Sequence, residues 1–259
     1  MKLKNNFYNI QDKVLSFYTD LPFNIYDNIN IGALKVKENN ALVAYPVLKN
    51  ILNDEEIKTI LDVGSGGGWF VNSLSSIYPE KVIEGIDFNQ VAVEYSNSIK
   101  KKLKLNCTFR KENLFDLDES KKYDFISSIG VLHHTPDCHL AIKQVIKLMR
   151  KNCYFFLGLY HKHGRTPFLE YFRKMENLND EEKFEKFKEL RNLKDQKHSY
   201  SWFRDQVLHP HESLHTFEEI SKLLNDCKLK IISTSINRFE ENFEFNEIVS
   251  LEKKLEQIS

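Results

Sequence analysis

The chain has 259 residues, in which 37 lysines and arginines balance 37 aspartates and glutamates, and 41% of the residues are hydrophobic. This length suits one large domain or a domain with an insertion, and the zero formal charge argues against a strongly basic nucleic-acid surface. Four isolated cysteines and an apolar stretch no longer than a strand argue against a disulfide framework and a membrane span, so we expect a cytoplasmic protein.

Residues 1–57 are predicted to form an N-terminal helical cap rich in aromatic side chains, which either pack on the core or help to cover a substrate. From 58 to 160, short apolar runs alternate with amphipathic stretches, a pattern typical of β-α units and a mostly parallel sheet. Caps support the helices, since Asn89 precedes one and the run 135–137 opens another. The predicted strands are 59–63, 82–86, 107–110, 123–128 and 154–160.

Residues 161–215 are predicted to form a helical insertion that contributes a substrate cap, with Phe184, Phe187 and Leu190 as its narrow apolar stripe. Residues 216–259 are expected to return to the core. There a capping box at Thr216 begins a helix, a strand-like segment follows at 229–236, and a charged helix ends the chain.

A glycine-rich turn, Gly64-Ser65-Gly66-Gly67-Gly68, follows the first predicted strand and precedes a helix. Such a turn lets a ligand approach the backbone, and the helix offers free N–H groups. The dinucleotide fingerprint requires a sixth-position glycine, where this chain has Trp69, so NAD is disfavoured. With Asp62 two residues before it, the turn instead resembles motif I of the class I S-adenosylmethionine-dependent methyltransferases.

Further motifs extend this resemblance over residues 58–160. Asp87 ends the second strand, where a carboxylate can accept hydrogen bonds from both ribose hydroxyls. Asn113 stands where the family usually has an adenine-binding aspartate, and the run 123–134 resembles the family's fourth strand and following loop. The resemblance implies cofactor contacts from Asp62, Gly64, Ser65, Gly66, Gly68, Asp87, Phe88, Asn113, Leu114 and Ile129.

The family resemblance implies a doubly wound, mostly parallel sheet of the seven-strand type, with helices on both faces and the insertion after strand 5. S-adenosylmethionine would be the cofactor and S-adenosylhomocysteine its product. A wider pattern, from the run 160–165 through 202–206 to 209–212, resembles a bacterial subgroup of methyltransferases to which we attach no acceptor.

All nine histidines lie after residue 130, and histidine is the side chain best matched to general-base catalysis near neutral pH. We name His134, His161 and His211 as candidate bases, although His134 could instead be a structural hydrogen-bonding residue. Tyr18, Tyr160, His163 and Arg165 are candidate acceptor-binding residues. His211 and His215 would permit a metal site beside Glu212, but Pro210 and Thr216 indicate a loop there, so no metal ligands are assigned.

We therefore expect an S-adenosylmethionine-dependent methyltransferase that acts on a small molecule, without a membrane partner. One alternative is an RNA methyltransferase acting on a tRNA wobble base, because some such enzymes share the Leu-His-His loop, although the neutral charge disfavours it. A second alternative is a cofactor-binding module without catalysis.

Overall fold

The computed structural model describes residues 2–193, 195–239 and 244–258. Within them, one parallel sheet has five strands in the order β3-β2-β1-β4-β5. The five predicted strands are confirmed, and the last begins earlier than predicted, at Met149, beside an irregularity in its pairing with β4. The strands are β1 (Thr59–Val63), β2 (Val82–Asp87), β3 (Thr108–Lys111), β4 (Tyr123–Ile129) and β5 (Met149–Gly158).

Helices precede, connect and follow the strands. Those before the sheet are α1 (Lys2–Asp20), α2 (Ile29–Glu38), α3 (Ala41–Ala44) and α4 (Leu48–Leu52). Between the strands lie α5 (Trp69–Ile77), α6 (Gln90–Leu103) and α7 (Cys138–Ile146). After β5 come α8 (Lys162–Arg173), α9 (Asp180–Arg191), α10 (Gln196–Val207), α11 (Phe217–Asp226) and α12 (Phe245–Ile258).

Successive side chains of each strand point to opposite faces of the sheet, and apolar clusters cover both faces. On one face, Ile60 and Phe125 belong to an apolar cluster that includes Leu74 of α5. On the other, Leu61 and Ile126 pack in a cluster to which α7 and α11 contribute. This two-faced core confirms the predicted α/β architecture and leaves the carboxyl ends of β1, β2 and β4 at one edge, where a ligand crevice forms.

The predicted caps form, with the side chains of Asn89, Asp137 and Thr216 each accepting a hydrogen bond from a backbone N–H of the helix that follows. The insertion has its own small core, in which Phe184 of α9 and Phe203 of α10 are buried. Leu190 does not join it and is 55% exposed. Local capping and apolar spacing therefore place these helices as the sequence indicates.

The seven-strand expectation is wrong for the described residues, because the sheet has five strands. The predicted strand at 229–236 has no regular structure over 229–234 and then forms a 3-10 turn, Ser235–Asn237. Its isoleucines suit a strand, but β-propensity acts only where a strand edge supplies a backbone partner. Ile232 accordingly remains 51% exposed.

None of the helices within these described ranges combines the length and the apolar character that crossing a membrane requires.

Candidate active site

The glycine turn between β1 and α5 has an unusual backbone, with φ of +74° at Gly64, +51° at Gly66 and +72° at Gly68. A Cβ added at Gly66 would meet no atom within 4 Å, whereas one added at Gly68 would lie 2.6 Å from Ser96 of α6. Gly66 therefore leaves open space beside the turn. Gly68 has a different role, since its missing side chain lets α5 and α6 pack closely.

A cavity of about 700 Å³ lies along the carboxyl ends of β1, β2 and β4 and extends beneath α1 and α10. Its size is that of a typical small-molecule site. One end contains the glycine turn, and the other contains aromatic side chains and a buried carboxylate. The predicted site residues that line it are Asp62, Gly64, Ser65, Gly66, Asp87, Phe88, Asn113, Leu114, Ile129, His134, Tyr18 and Tyr160.

Asp87 ends β2 beside the glycine turn. Its Oδ2 accepts a hydrogen bond from the Gly66 N–H at 2.8 Å, and its Oδ1 accepts one from the Asn89 N–H at 2.8 Å. Burial raises the pKa of this carboxyl, and the backbone N–H groups partly offset that effect by favouring the charged form. Each oxygen retains a lone pair for a further donor, such as a sugar hydroxyl.

Asp62 is the second carboxylate at this end. It is buried and accepts a hydrogen bond from Ser127 at 2.7 Å. Burial raises its pKa to about 7, the Ser127 bond opposes this shift, and the charge of Asp87 adds to it. A cationic ligand would stabilise both carboxylates.

Ser65 lies in the glycine turn with its Oγ buried and without a hydrogen-bond partner among the described residues. A ligand with a donor or acceptor here would remove the cost of that unpaired group. Together with the open space at Gly66 and the two carboxylates, this orphaned hydroxyl fits a polar, positively charged nucleoside cofactor.

Asn113 lines the cavity, but its amide groups bond locally. Its Oδ1 accepts a hydrogen bond from the Phe115 N–H at 3.1 Å, and its Nδ2 donates to Asp116 at 2.8 Å. The side chain thus caps the short turn Leu114–Asp116. Its predicted contact with an adenine would have to use the second lone pair of Oδ1.

At the other end of the cavity, a buried carboxylate joins three segments that are distant in sequence. The Tyr18 hydroxyl of α1 donates to Asp205 Oδ1 at 2.5 Å, and the Tyr160 hydroxyl donates to Asp205 Oδ2 at 3.3 Å. His134 Nε2 lies 3.9 Å from Asp205 Oδ1. We call these four residues, Tyr18, His134, Tyr160 and Asp205, the Asp205 cluster.

The tautomer of His134 follows from its partners. Its Nδ1 lies 3.0 Å from the carbonyl oxygen of His211, which can only accept a hydrogen bond, so Nδ1 carries the hydrogen in the neutral ring. Burial lowers the pKa of His134 to about 4, so the ring is neutral at physiological pH. Its Nε2 is then a buried acceptor without a partner among the described residues, and it faces the carboxylate of Asp205.

Asp205 is the site residue that sequence reasoning missed. Burial raises its pKa to about 6, against the opposing effect of hydrogen bonds from Tyr18 and Tyr160. In the sequence, the segment 202–206 stands out only as part of the pattern that resembles a bacterial subgroup of methyltransferases. The sequence places this aspartate two residues after Phe203, and the structure shows that both side chains are buried in α10. Its contact with Tyr18 follows only from the fold.

Four predicted catalytic or acceptor-binding residues do not line the cavity. Three of them follow β5, which ends at Gly158, and lie where the chain turns into α8. His161 pairs with Glu252 at 2.7 Å, and Arg165 forms a two-point ion pair with Glu212 while its guanidinium stacks on Tyr160. His211 Nε2 contacts the Thr135 carbonyl oxygen at 3.1 Å. These four residues are His161, His163, Arg165 and His211. The contacts of His161, Arg165 and His211 connect the segments around the Asp205 cluster. Gly68 also lies outside the lining.

The fold and the site define a class. A parallel sheet with this strand order, a glycine turn after β1 and a carboxylate ending β2 form a Rossmann-like site for a nucleoside cofactor. The methyltransferase domain family matches residues 54–207, more than half of the chain. The chain belongs to this family, and its fold is that of the class I methyltransferases.

Curated relatives match over part of their length. A ubiquinone biosynthesis O-methyltransferase of Pelagibacter ubique (strain HTCC1062) is 27% identical over 125 residues, covering 45% of this chain and 51% of the relative. Ribosomal RNA small subunit methyltransferase G of Mycoplasma mobile is 32% identical over 112 residues, covering 41% of this chain and 46% of that protein. The chain thus spans about half the length of these relatives.

Solved structures share the fold. The plantazolicin methyltransferase BpumL, solved with a substrate analogue and SAH, has a TM-score of 0.53 at 17% identity, over 99% of this chain and 93% of that one. PKMT2 from Rickettsia typhi has a TM-score of 0.59 at 17% identity, over 78% of this chain and 47% of that one. At these identities the likeness concerns the fold alone.

Proposed function

We propose that this chain transfers a methyl group from S-adenosylmethionine to a hydroxyl group of a small, largely apolar molecule. One observation carries the proposal: a single cavity joins the glycine turn to the buried Asp205 cluster. The end at the glycine turn suits the cofactor. The end at the Asp205 cluster suits a methyl acceptor whose hydroxyl group donates a hydrogen bond.

The residues around the glycine turn would hold the cofactor, with Asp87 on the ribose, Asp62 facing positive charge and Ser65 offering its unpaired hydroxyl. Asn113, Leu114 and Phe88 would surround the adenine. When bound, S-adenosylmethionine would supply an activated methyl group, whose carbon the acceptor oxygen attacks in line as the thioether of S-adenosylhomocysteine leaves. The protein then has mainly to orient the acceptor and exclude water.

The Asp205 cluster would perform that orientation. His134 Nε2 and Asp205 Oδ1 are both hydrogen-bond acceptors, so the hydroxyl group of a methyl acceptor bound beside them would find an acceptor for its hydrogen. Asp205, with a pKa of about 6, is the better proton acceptor near neutral pH, because the pKa of His134 is lowered to about 4. We therefore assign the proton to Asp205 and a positioning role to His134, in place of the histidine base expected from the sequence.

The aromatic lining of the cavity also supports an apolar acceptor. Phe23, Tyr26 and Trp202 contribute aromatic surface, and Phe23 packs against Trp202 with ring centroids 5.2 Å apart. Flat aromatic side chains in the lining favour the binding of a planar molecule. The relative from Pelagibacter ubique is named as an O-methyltransferase, which supports oxygen as the acceptor atom.

The decisive experiment is to incubate the protein with methyl-labelled S-adenosylmethionine and a fractionated cell extract, and to identify the labelled product by mass spectrometry. We expect a labelled methyl ether of low molecular weight. Label on nitrogen, sulfur or carbon would contradict the hydroxyl assignment. Tight binding of S-adenosylmethionine without methyl transfer to a molecule in any fraction would instead favour a non-catalytic module.

RNA remains a second candidate because one relative, from Mycoplasma mobile, is named as a ribosomal RNA methyltransferase. The zero formal charge and the burial of His134 and Asp205 support the small-molecule acceptor over it. Binding to RNA that weakens steeply with added salt, together with label in the RNA fraction, would favour this second candidate.

A further inference from the structure

We propose that His139, His215 and Glu219 form a binding site for a divalent transition metal ion such as Zn²⁺. Glu219 Oε1 lies 2.6 Å from His139 Nε2 and 3.1 Å from His215 Nδ1. One ligand atom from each of the three residues lies within 4.8 Å of the others. Ligand atoms around a tetrahedral Zn²⁺ are about 3.3 Å apart, so small side-chain movements would complete the geometry.

The three residues come from two helices and from the loop that joins α10 to α11. His139 is the second residue of α7, and Glu219 is in the first turn of α11. His215 lies one residue before the cap Thr216 and forms a parallel bridge with His161. Two imidazole nitrogens with one carboxylate oxygen are an established zinc donor set that leaves a fourth position open.

The contacts of His215 orient one ring nitrogen toward the carboxylate. His215 Nε2 lies 2.8 Å from Ser213 Oγ, and that hydroxyl donates to the His133 carbonyl oxygen at 3.1 Å. With its hydrogen used there, Ser213 accepts from Nε2–H, which leaves the lone pair of Nδ1 facing Glu219. A proton or a metal ion can join these two groups, and a hydrogen-bonded second ring nitrogen is the usual support of a metal-bound histidine.

Exposure at the site suits an ion that enters from solvent. His215 is 7% exposed, whereas the side chains of His139 and Glu219 are 42% and 38% exposed. The buried histidine provides an ordered ligand, and the two open ones form the entry side. The metal set considered from the sequence, His211 and His215 beside Glu212, does not form among the described residues, because His211 contacts Thr135 and Glu212 pairs with Arg165.

A metal ion at this position would tie the end of the insertion to the core. The Ser213 N–H donates to the His133 carbonyl oxygen at 2.8 Å, and His134 follows directly. An ion joining α7, the 213–215 segment and α11 would therefore hold the loop whose His211 carbonyl orients His134. The site lies outside the methyl-transfer cavity, and water would fill its fourth position.

The test is to titrate Zn²⁺ into chelator-treated protein in competition with a chromophoric chelator, with all cysteines reduced. We expect one Zn²⁺ per chain, and an affinity at least about tenfold lower in His139→Ala and Glu219→Gln. His161→Ala is the matched control, because it removes a histidine–glutamate pair that has no third candidate ligand among the described residues. This variant should bind Zn²⁺ as the wild type does.

Co²⁺ provides a second readout, since a visible absorption band would report nitrogen and oxygen coordination and should be lost in His139→Ala. The proposal is overturned if Zn²⁺ does not bind saturably at micromolar concentration, or if the His139 and Glu219 variants keep wild-type affinity. Calorimetry with S-adenosylhomocysteine on the same variants tests the cofactor site independently of the metal.

Discussion

The carboxylate of Asp87 accepts a hydrogen bond from the backbone N–H of Gly66 at 2.8 Å, so the acid at the end of β2 holds the turn after β1. The same side chain is also the proposed ribose ligand. One carboxylate therefore shapes the cofactor site and binds in it, and changing it should affect ligand affinity more than global stability.

We expect Asp87→Ala to lower the affinity for S-adenosylhomocysteine at least about 100-fold. Hydrogen bonds to a charged group contribute roughly 1.5–3 kcal/mol each, and two to the ribose would be lost. Isothermal calorimetry measures the change. Glu94→Ala, on the exposed side of α6, is the control and should bind normally. Undiminished binding by Asp87→Ala would remove the proposed cofactor site.

Gly66 and Gly68, two glycines of the turn, should respond differently to replacement by alanine. Gly66→Ala adds a methyl group to open space beside the cavity, so it should fold with a cost of about 1–2 kcal/mol for the positive φ and lose cofactor affinity. Gly68→Ala places its Cβ 2.6 Å from Ser96 and should lower the melting temperature much further. Thermal unfolding and calorimetry on both variants separate the effects. Equal melting temperatures would contradict the distinction.

The Asp205 cluster predicts a pH dependence of turnover. A proton acceptor with a pKa of about 6 works only when ionised, so kcat/KM should rise as the pH increases through about 6 and then level off. Asp205→Asn should lower kcat about 10²–10⁴-fold and abolish this acidic limb. Both are measured with the acceptor identified by labelling. A variant that changes only KM would show that Asp205 binds the acceptor without receiving its proton.

Tyr18→Phe supplies a finer test of the same assignment. The Tyr18 hydroxyl donates to Asp205 and lowers its pKa, so removing that donor should move the acidic limb to higher pH. Tyr160→Phe, which removes a longer hydrogen bond of 3.3 Å, should move it less. An acidic limb at the same pH in both variants would assign the titration to another group.

Stability should fall in acid because the ring of His209 is half-buried and neutral, packed against His134. Burial lowers the pKa of His209 to about 2, below its value of about 6.5 in an unfolded chain. Its contribution to stability is therefore complete above about pH 6.5 and is lost as the pH falls toward 2. His209→Phe should flatten the dependence of unfolding free energy on pH between 6.5 and 4 by roughly 1.4 kcal/mol per unit.

Urea unfolding at several pH values measures this slope, with equal m-values required of both proteins. Asp62, whose raised pKa acts in the opposite sense, is present in both and cancels in the difference. Equal slopes for wild type and variant would show that His209 is not held neutral by the fold.

The sequence alone determined the order of β-α units, the glycine turn with Asp87, and the helix caps. These features depend on residues close together in the chain, such as the apolar run that forms β1 and the asparagine that caps α6. Steric and hydrogen-bonding preferences act at this range, so a short pattern is sufficient to predict them. The class I methyltransferase family follows from the same local motifs.

Only the tertiary structure decided the acceptor end and the number of strands. Tyr18 and Asp205 are separated by 187 positions, and nothing in either segment specifies the other. Likewise, 229–236 has strand-like residues but no strand partner in the described sheet, and His161 is turned away by the early end of β5. Contacts of this kind depend on how packed elements meet, and that is a property of the whole fold.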